Sequence, residues 1–485
     1  MYQSFLISGL CCLVAATTVF AGPSEVFAEI KREASQDELY ALLFATPKGG
    51  DLHHHGGGSA PMEYAVNYYL DPAQNGGRKF YIRTRIEACP DARLRPEVMY
   101  HVLSERKWSE LAPCLQSQFQ LVTDLSEAEV AAWLSDLKID QEGEGRDEFF
   151  EKIWWRMGPC FTDLSVGPDL LVENMKAMGK EGIRYIEMQV IPWWHTDAEG
   201  NPADAEGNPA DAEEWYTTYK ARLAQPDALA TGVTVRFQVV IIRFLPEAEE
   251  HVRRAYAFIE KHRDLFVGIN MAGREDNGKG QAARFTEVYR EMQRIYPKIP
   301  LAIHAGESDE ANSNIRDTLA LGVDRIGHGL NLLKDTDTYL LMRQNNYLVE
   351  VNLISNKLLE YVPDPMQHPF PVLLRTGVPV NLNTDDRGMW DSTFTDEYYA
   401  AVSNYNLSWE ELVTVGRNSL EHCFASPELK AAMLADYETE IAVFEKEYLN
   451  ANWREAAAKV DVTISNYGKS NYGLSGPVNL GEPVQ

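Results

Sequence analysis

Positive charge is scarce in this 485-residue sequence: 45 lysines and arginines stand against 72 aspartates and glutamates, a formal net charge of −27. A protein that grips a phosphate backbone needs a basic face, so nucleic-acid binding is excluded as its main role and polyanionic small substrates are disfavoured. Acidity on this scale promotes solubility and says nothing about fold. Long apolar runs are also missing. The longest, over residues 5–20, is short of the roughly 20 residues of a membrane span, so no stable membrane span is expected. No Lys or Arg precedes Lys31, so the basic start of an export signal is lacking. Even so, the apolar run followed by small residues in "VFA" reads as a signal peptide over 1–21, cleaved after Ala21, which places the protein in a secreted or periplasmic setting. The alternative is an apolar N-terminal helix of the folded domain.

Cysteine is sparse too, with six in all. Cleavage would remove Cys11 and Cys12 and leave Cys89, Cys114, Cys160 and Cys423. An oxidising compartment permits disulfides. Cys89–Cys114 is the expected pair because both lie in one segment, with four free thiols as the alternative.

What is present is an ordinary globular composition, 45% apolar and 24% charged, long enough for one large domain or two to three smaller ones. Eight short runs of aliphatic and β-branched residues read as strands: 50–55, 183–191, 233–242, 266–273, 299–307, 323–329, 347–355 and 378–386. Amphipathic stretches such as 249–263 and 283–296 separate the later ones. Strands alternating with helices imply parallel βα units, and eight of them imply an α/β fold of the (β/α)8 TIM-barrel type. An open doubly wound sheet is the alternative.

The barrel is expected to occupy residues 22–464. The first two runs are separated by a segment, about 61–180, too long for one crossover. It is read as a helical insertion capping the rim, with a helix at 146–158 and with Trp154 and Trp155 as core or lid residues. A duplicated heptad, "DAEGNPADAEGNPADAEE", spans 197–214 and reads as a solvated acidic loop, because two Gly-Asn-Pro turns interrupt any helix. Its carboxylates lack the spacing of an EF-hand calcium loop. The repetitive tail 465–485 is expected to be disordered.

Chemistry-bearing residues cluster at the C-terminal ends of the runs, the rim where barrels build their sites. His53 and His55 stand two apart on a strand, so they share one face while His54 points away. With His304 and Asp385 from two other strand ends they form a set of three nitrogens and one carboxylate. That set suits Zn²⁺ with an open position for water. Alone, three consecutive histidines could equally be surface or packing residues. The fourth run ends in "INMAG", with no Lys or acid before Glu275, which favours one metal over two. Glu307, three residues beyond His304, could move a proton to and from a substrate nitrogen, or simply stabilise a helix N-terminus. His328, between two glycines, could handle the attacking water, or be a satisfied buried histidine. Asp386 could meet a ring nitrogen. Gly273 could let a flat base approach its N–H, or serve a tight turn.

The motifs "PKGGDLHHH", "MAG", "HAGE", "RIGHG" and "NTDD" resemble, in order, those of adenosine deaminases of the metal-dependent amidohydrolase superfamily, over roughly residues 45–425. The opening motif, the signal and the long insertion are most similar to the secreted adenosine deaminase-related growth factors and their bacterial relatives. The resemblance implies His53, His55, His304 and Asp385 as ligands of one zinc per chain. It implies Glu307 as proton donor to purine N1 and His328 as the residue that orients or deprotonates the attacking water. Asp386 would contact N7, and the Gly273 N–H would meet N3. The implied reaction converts adenosine, with 2′-deoxyadenosine as a further substrate, to inosine and ammonia. The implied partner is a small-molecule nucleoside, and a homodimer is the implied assembly. The H-x-E and P-C-x-x-C signature of cytidine-type deaminases is absent. Two departures stand out. Gly57 takes the place of an aspartate that helps bind the ribose 5′-hydroxyl in intracellular relatives. Arg387 replaces a common proline and would either reach a phosphate or pair with a neighbouring acid. Two alternatives stay open: a deaminase of another aminopurine nucleoside or nucleotide, and a receptor-binding, growth-factor-like protein on the same scaffold.

Overall fold

The eight expected runs all become strands, and each is buried on both sides, as their near-continuous aliphatic composition requires in a parallel sheet. The computed structural model describes residues 22–90, 94–95, 97–195 and 209–476. In chain order the strands are β1 (Gly49–His55), β2 (Ile183–Val190), β3 (Thr234–Ile242), β4 (Phe266–Ala272), β5 (Leu301–Ala305), β6 (Arg325–His328), β7 (Leu348–Val351) and β8 (Val380–Leu382). Each pairs in parallel with the next. A parallel bridge from His54 to Asp385 brings the end of β8 back to β1. There the Asp385 N–H donates to the His53 carbonyl at 2.9 Å and the His55 N–H donates to the Asp385 carbonyl at 3.0 Å. Sequential order with the last strand meeting the first is a (β/α)8 barrel, not an open doubly wound sheet.

Helices between the strands bury one stripe against the barrel. In Ala248–Lys261 the buried residues include Val252, Ala255, Tyr256 and Ile259, at the i, i+3, i+4 and i+7 positions of one helical face. Inside the barrel the filling is partly ionic. The Arg325 guanidinium, 1% exposed, holds Glu187 and Glu350 at 2.6 Å each and stacks 3.6 Å above the Phe424 ring.

The insertion differs from its expected all-helical form. Besides short helices it carries a three-stranded antiparallel sheet, with Phe80–Arg83 between Val102–Ser104 and Phe119–Leu121. Strands of three or four residues carry too little alternation to read from sequence, and their partners lie far along the chain. Helix Gly167–Lys180, at the end of that segment, is the barrel helix leading into β2. The insertion has its own core around Tyr69, Phe80, Ile82, Trp133 and Ile153. The stretch expected as one helix at 146–158 is helical only as far as Arg156, with a π-helical turn at Phe149–Ile153 between short α-turns. Such turns often mark functional sites. Cys89 and Cys114 form the expected disulfide, while Cys160 and Cys423 are free and buried.

Two boundaries change. Helix Pro209–Leu223 starts inside the segment expected to be a loop up to 214, with proline at a helix start that suits its fixed φ. Residues 197–208 of that loop lie outside the described residues. The tail is ordered as far as residue 476. Helix Asn466–Tyr472 is capped by Ser465, whose hydroxyl also donates to Asp396 at 2.7 Å, and Tyr467 is buried. Its polar, repetitive composition concealed two aromatic anchors, Tyr467 and Tyr472, the latter packed on Tyr399 at 4.6 Å. The expected signal at 1–21 and residues 477–485 lie outside the described residues. No helix among the described residues is long and apolar enough to cross a membrane.

The disulfide closes a loop with a sequence separation of 25. Replacing Cys89 by Ser is expected to destabilise the insertion by about 3 kcal/mol. Limited proteolysis should then cut between the small strands first and leave β2–β8 in one fragment.

Candidate metal centre and its surroundings

Strand alternation sends the three histidines in two directions. His54 points outward. Its Nε2 accepts from the Asn174 amide at 2.7 Å, so its Nδ1 carries the proton shared with Asp51 at 3.1 Å and Thr384 at 2.9 Å. His53 and His55 point into the barrel mouth. There they meet His304 from the end of β5 and Asp385 from beyond β8. The four donor atoms lie within 4.8 Å of one another. His53 Nε2 stands 2.9 Å from His304 Nε2, and His55 Nε2 stands 3.2 Å from it. Asp385 Oδ1 lies 3.5 Å from His53 Nε2 and 3.2 Å from His55 Nε2.

These separations fit a cation. Four donors placed at 2.0–2.2 Å from one ion, the usual zinc bond lengths, sit roughly 3.3–3.6 Å apart in a tetrahedron. The proton positions agree. His53 Nδ1 is 2.7 Å from Glu350, a carboxylate that only accepts, so the Nδ1 is protonated and the neutral ring presents a bare lone pair at Nε2. His304 Nδ1 donates to Asn270 Oδ1 at 2.9 Å. That amide is oriented because its nitrogen donates to Gln238 and its oxygen also accepts the Met271 N–H. His304 Nε2 is therefore bare as well. Two lone pairs facing each other at 2.9 Å repel unless a cation, or a second proton on His53, lies between them. Second partners of this kind are what orient metal-binding imidazoles.

Glu307, three residues past His304, is buried 3.7 Å from His328 Nε2. Burial raises its pKa well above the ordinary carboxyl value, and the charges of Asp385 and Glu275 push the same way, so the protonated, donating form is favoured. His328 ends β6 with a φ of 62°, a left-handed conformation rare outside glycine. Burial pushes its pKa down to about 3, so it is neutral. A chain of hydrogen bonds sets its proton. The Phe370 N–H donates to His368 Nδ1, His368 Nε2 donates to Asn356 Oδ1, and the Asn356 amide donates to His328 Nδ1 at 3.1 Å. The proton of His328 is left on Nε2, facing the site. Asp386 is buried with Oδ1 unpartnered, and burial together with neighbouring Asp385 raises its pKa. A Cβ on Gly58 would collide with that oxygen, which explains why the third glycine after the histidines has no side chain. Gly273 lines the same cavity with φ at 108°, and a Cβ there would come within 2.9 Å of the Phe244 ring. The positive φ accords with the tight-turn reading of that glycine.

All eight expected site residues thus sit on one rim, and all but the fully buried His53 line a cavity of about 860 Å³. Trp154 and Trp155 are lid residues at its mouth, exposed by 37% and 46%, and not core. Arg387 pairs with Glu181 at 2.7 Å, the structural one of its two expected roles. Sequence reading missed the supports: Glu350 and Asn270 behind the ligands, Arg325 and Glu187 behind Glu350, and Arg243. The Arg243 guanidinium donates to the His304 carbonyl at 2.7 Å and lies 3.5 Å from Glu275. The available signal was a polar residue interrupting an aliphatic run, as in "INMA" and "LVEV".

The family model described as adenosine deaminase matches residues 124–439, well over half the chain. An adenosine deaminase of Plasmodium gallinaceum is 34% identical over 186 residues, which are 38% of this chain and 50% of that protein, so the match spans about half of the relative's length. Adenosine deaminase 2 of Dictyostelium discoideum is 23% identical over 424 residues, covering 82% of this chain and 73% of that one. Among solved structures, Arabidopsis ADAL complexed with GMP shares the fold with a TM-score of 0.59 at 18% identity, over 82% of this chain and 98% of that one.

Removing Arg325 leaves Glu187 and Glu350 buried without a counter-charge. Arg325→Met is expected to lower unfolding free energy by about 3–5 kcal/mol, read as a lowered denaturant midpoint. Arg325→Lys should recover part of the loss.

Proposed function

The chain belongs to the adenosine deaminase family, and from that premise we propose that it catalyses hydrolytic deamination of adenosine to inosine and ammonia, with 2′-deoxyadenosine as a second substrate. The observation that carries this reading is the convergence of His53, His55, His304 and Asp385 beside Glu307 and His328 on one barrel rim. In this reading the four ligands hold one zinc ion per chain. When bound, zinc lowers the pKa of a water towards neutrality and makes it a nucleophile.

The chain's own groups then match the substrate by polarity. N1, N3 and N7 of a purine all accept hydrogen bonds. The three groups assigned to them all donate: the protonated Glu307 carboxyl at N1, the Gly273 N–H at N3 and the protonated Asp386 carboxyl at N7. Donation from Glu307 draws electron density from C6, where water adds and the amino group leaves as ammonia. His328, neutral with its proton on Nε2, is suited to orienting the attacking oxygen by donating to it, and less suited to taking its proton. Closure of the mouth by Trp154 and Trp155 would limit bulk water.

The two arginines lining the mouth are already paired with acids, which supports a nucleoside over a nucleotide, although Lys107 and Lys279 line the same cavity. Arg95 is paired with Glu151, and Arg274 with Asp147 and Asp276, so neither is left to meet a phosphate. The growth-factor-like alternative separates from the enzyme if a Glu307→Gln protein keeps a receptor-mediated effect. Export after cleavage at Ala21 is part of the proposal, supported by the Cys89–Cys114 bond, which persists in oxidising compartments. A homodimer is the proposed assembly, testable by sedimentation.

Ultraviolet monitoring should record adenosine turning into inosine, with one equivalent of zinc in the same sample. Glu307→Gln is expected to lower kcat by roughly 10²–10⁴-fold with zinc content unchanged. AMP should be turned over at least about 100-fold less efficiently than adenosine, a gap of ~2.7 kcal/mol in transition-state binding. Dialysis against a chelator should abolish activity, and added zinc should restore it. Zinc-loaded protein inert toward adenosine, 2′-deoxyadenosine and AMP would falsify the proposal.

A further inference from the structure

Buried polar atoms without partners are rare in folded proteins, and each calls for an explanation. Among the described residues with such side-chain atoms, two line the active-site cavity. One is Asp386, already assigned to the base. The other is Gln189, at the C-terminal end of β2, 2% exposed, with both Nε2 and Oε1 unpartnered. Neither resemblance nor motif singled it out.

Its position is well defined by the sheet. Gln189 is the register partner of the metal-centre residue His55, and its carbonyl accepts the Gly56 N–H at 3.0 Å. Both side chains therefore face the barrel mouth at the same level. β1 has β8 on one flank and β2 on the other, so Asp386 and Gln189 stand on opposite sides of the metal-binding strand. Leaving both polar groups of a buried amide bare is costly.

We propose that the Gln189 amide is a substrate-binding group that takes the vicinal hydroxyls of the sugar. This rests on the nucleoside deaminase reading and adds how the sugar is held. A primary amide offers an acceptor oxygen and a donor nitrogen side by side, and each hydroxyl of a diol can donate and accept, so the two pairs are complementary. The base leaves little else for it. Its ring nitrogens accept only, and its single donor, the amino group, must lie over the metal-binding atoms. A nucleoside whose base is anchored on the β5 and β8 side extends its sugar across β1 towards β2. A site built to bond a hydroxyl rejects analogues that lack it far more strongly than an apolar pocket does.

The test measures kcat and KM for adenosine and for 2′,3′-dideoxyadenosine. The full chain is used, zinc-loaded, unaltered and as Gln189→Met, which keeps length and removes both polar groups. The unaltered protein is expected to prefer adenosine by at least about 100-fold in kcat/KM. In Gln189→Met, kcat/KM for adenosine should fall about 10–100-fold, mostly through KM, while the value for the dideoxy compound changes less than about threefold. If Gln189→Met does not fold, Gln189→Glu, which keeps the acceptor and loses the donor, is read the same way and should shrink the preference. Equal loss on both substrates, or an unaltered protein that handles the two alike, overturns the assignment and leaves the deaminase reading standing. Failure to deaminate either compound counts against that reading itself, and this assignment falls with it.

Discussion

The bridge between His54 and Asp385 is the contact on which the rest of the molecule depends. It is the seam where the eighth strand returns to the first, made by two backbone hydrogen bonds between residues 53, 55 and 385. The same three residues carry side chains to the candidate metal centre. Barrel closure and ligand placement are therefore one event. A ligand set drawn from residues more than 300 positions apart gains rigidity from the ladder that completes the fold, with no separate device to hold it. The cost shows in the backbone. Asp385 and His328 both adopt positive φ, at 56° and 62°, a strain of order 1–3 kcal/mol each that only a surrounding rigid sheet sustains.

Behind that seam, buried charge reaches the ligands in steps. Arg325 neutralises Glu187 and Glu350, and Glu350 in turn fixes the proton on His53 Nδ1. On the opposite wall Gln238 orients Asn270, which fixes the proton on His304. A third chain, from Phe370 through His368 and Asn356, sets His328. Each chain ends in a nitrogen whose lone pair or proton faces the cavity. The interior of the barrel thus carries polar networks where a simpler fold would carry leucines, because imidazole tautomers have to be specified from behind. In a low-dielectric setting such networks are favourable only when every member is satisfied. The groups left unsatisfied on the cavity wall, Asp386 and Gln189, are the ones pointed at the space a ligand fills.

The insertion gives the rim its shape. Its small sheet and separate core hold the π-turn at Phe149–Ile153, and that turn carries Trp154 towards the ring of His55, 6.5 Å away. Gly57 faces the same wall, where a Cβ would come within 2.9 Å of the Met157 methyl. That methyl is the end of a flexible side chain, so packing alone does not explain the glycine at this position.

Much of this was legible before any coordinates. Period-two alternation separates His53 and His55 from His54, aliphatic runs mark the eight strands, and polar residues at the ends of those runs mark the rim. These are local properties, carried by adjacent residues and by the geometry of an extended chain. Other features were not local. Asp385 and Asp386 are neighbours of the same type, and only the seam with β1 and the left-handed turn at Asp385 give one to the candidate metal centre and the other to the cavity wall. Glu350, Asn270 and Gln189 read as isolated polar residues in apolar runs. Their meaning appears only when strands from distant segments bring a histidine, or an unfilled space, beside them. The small antiparallel sheet and the ordered tail helix escaped for the same reason: three-residue strands and a polar helix are stable only through partners far along the chain. Pattern determined which residues could face inward; the closing of the barrel decided which of them meet.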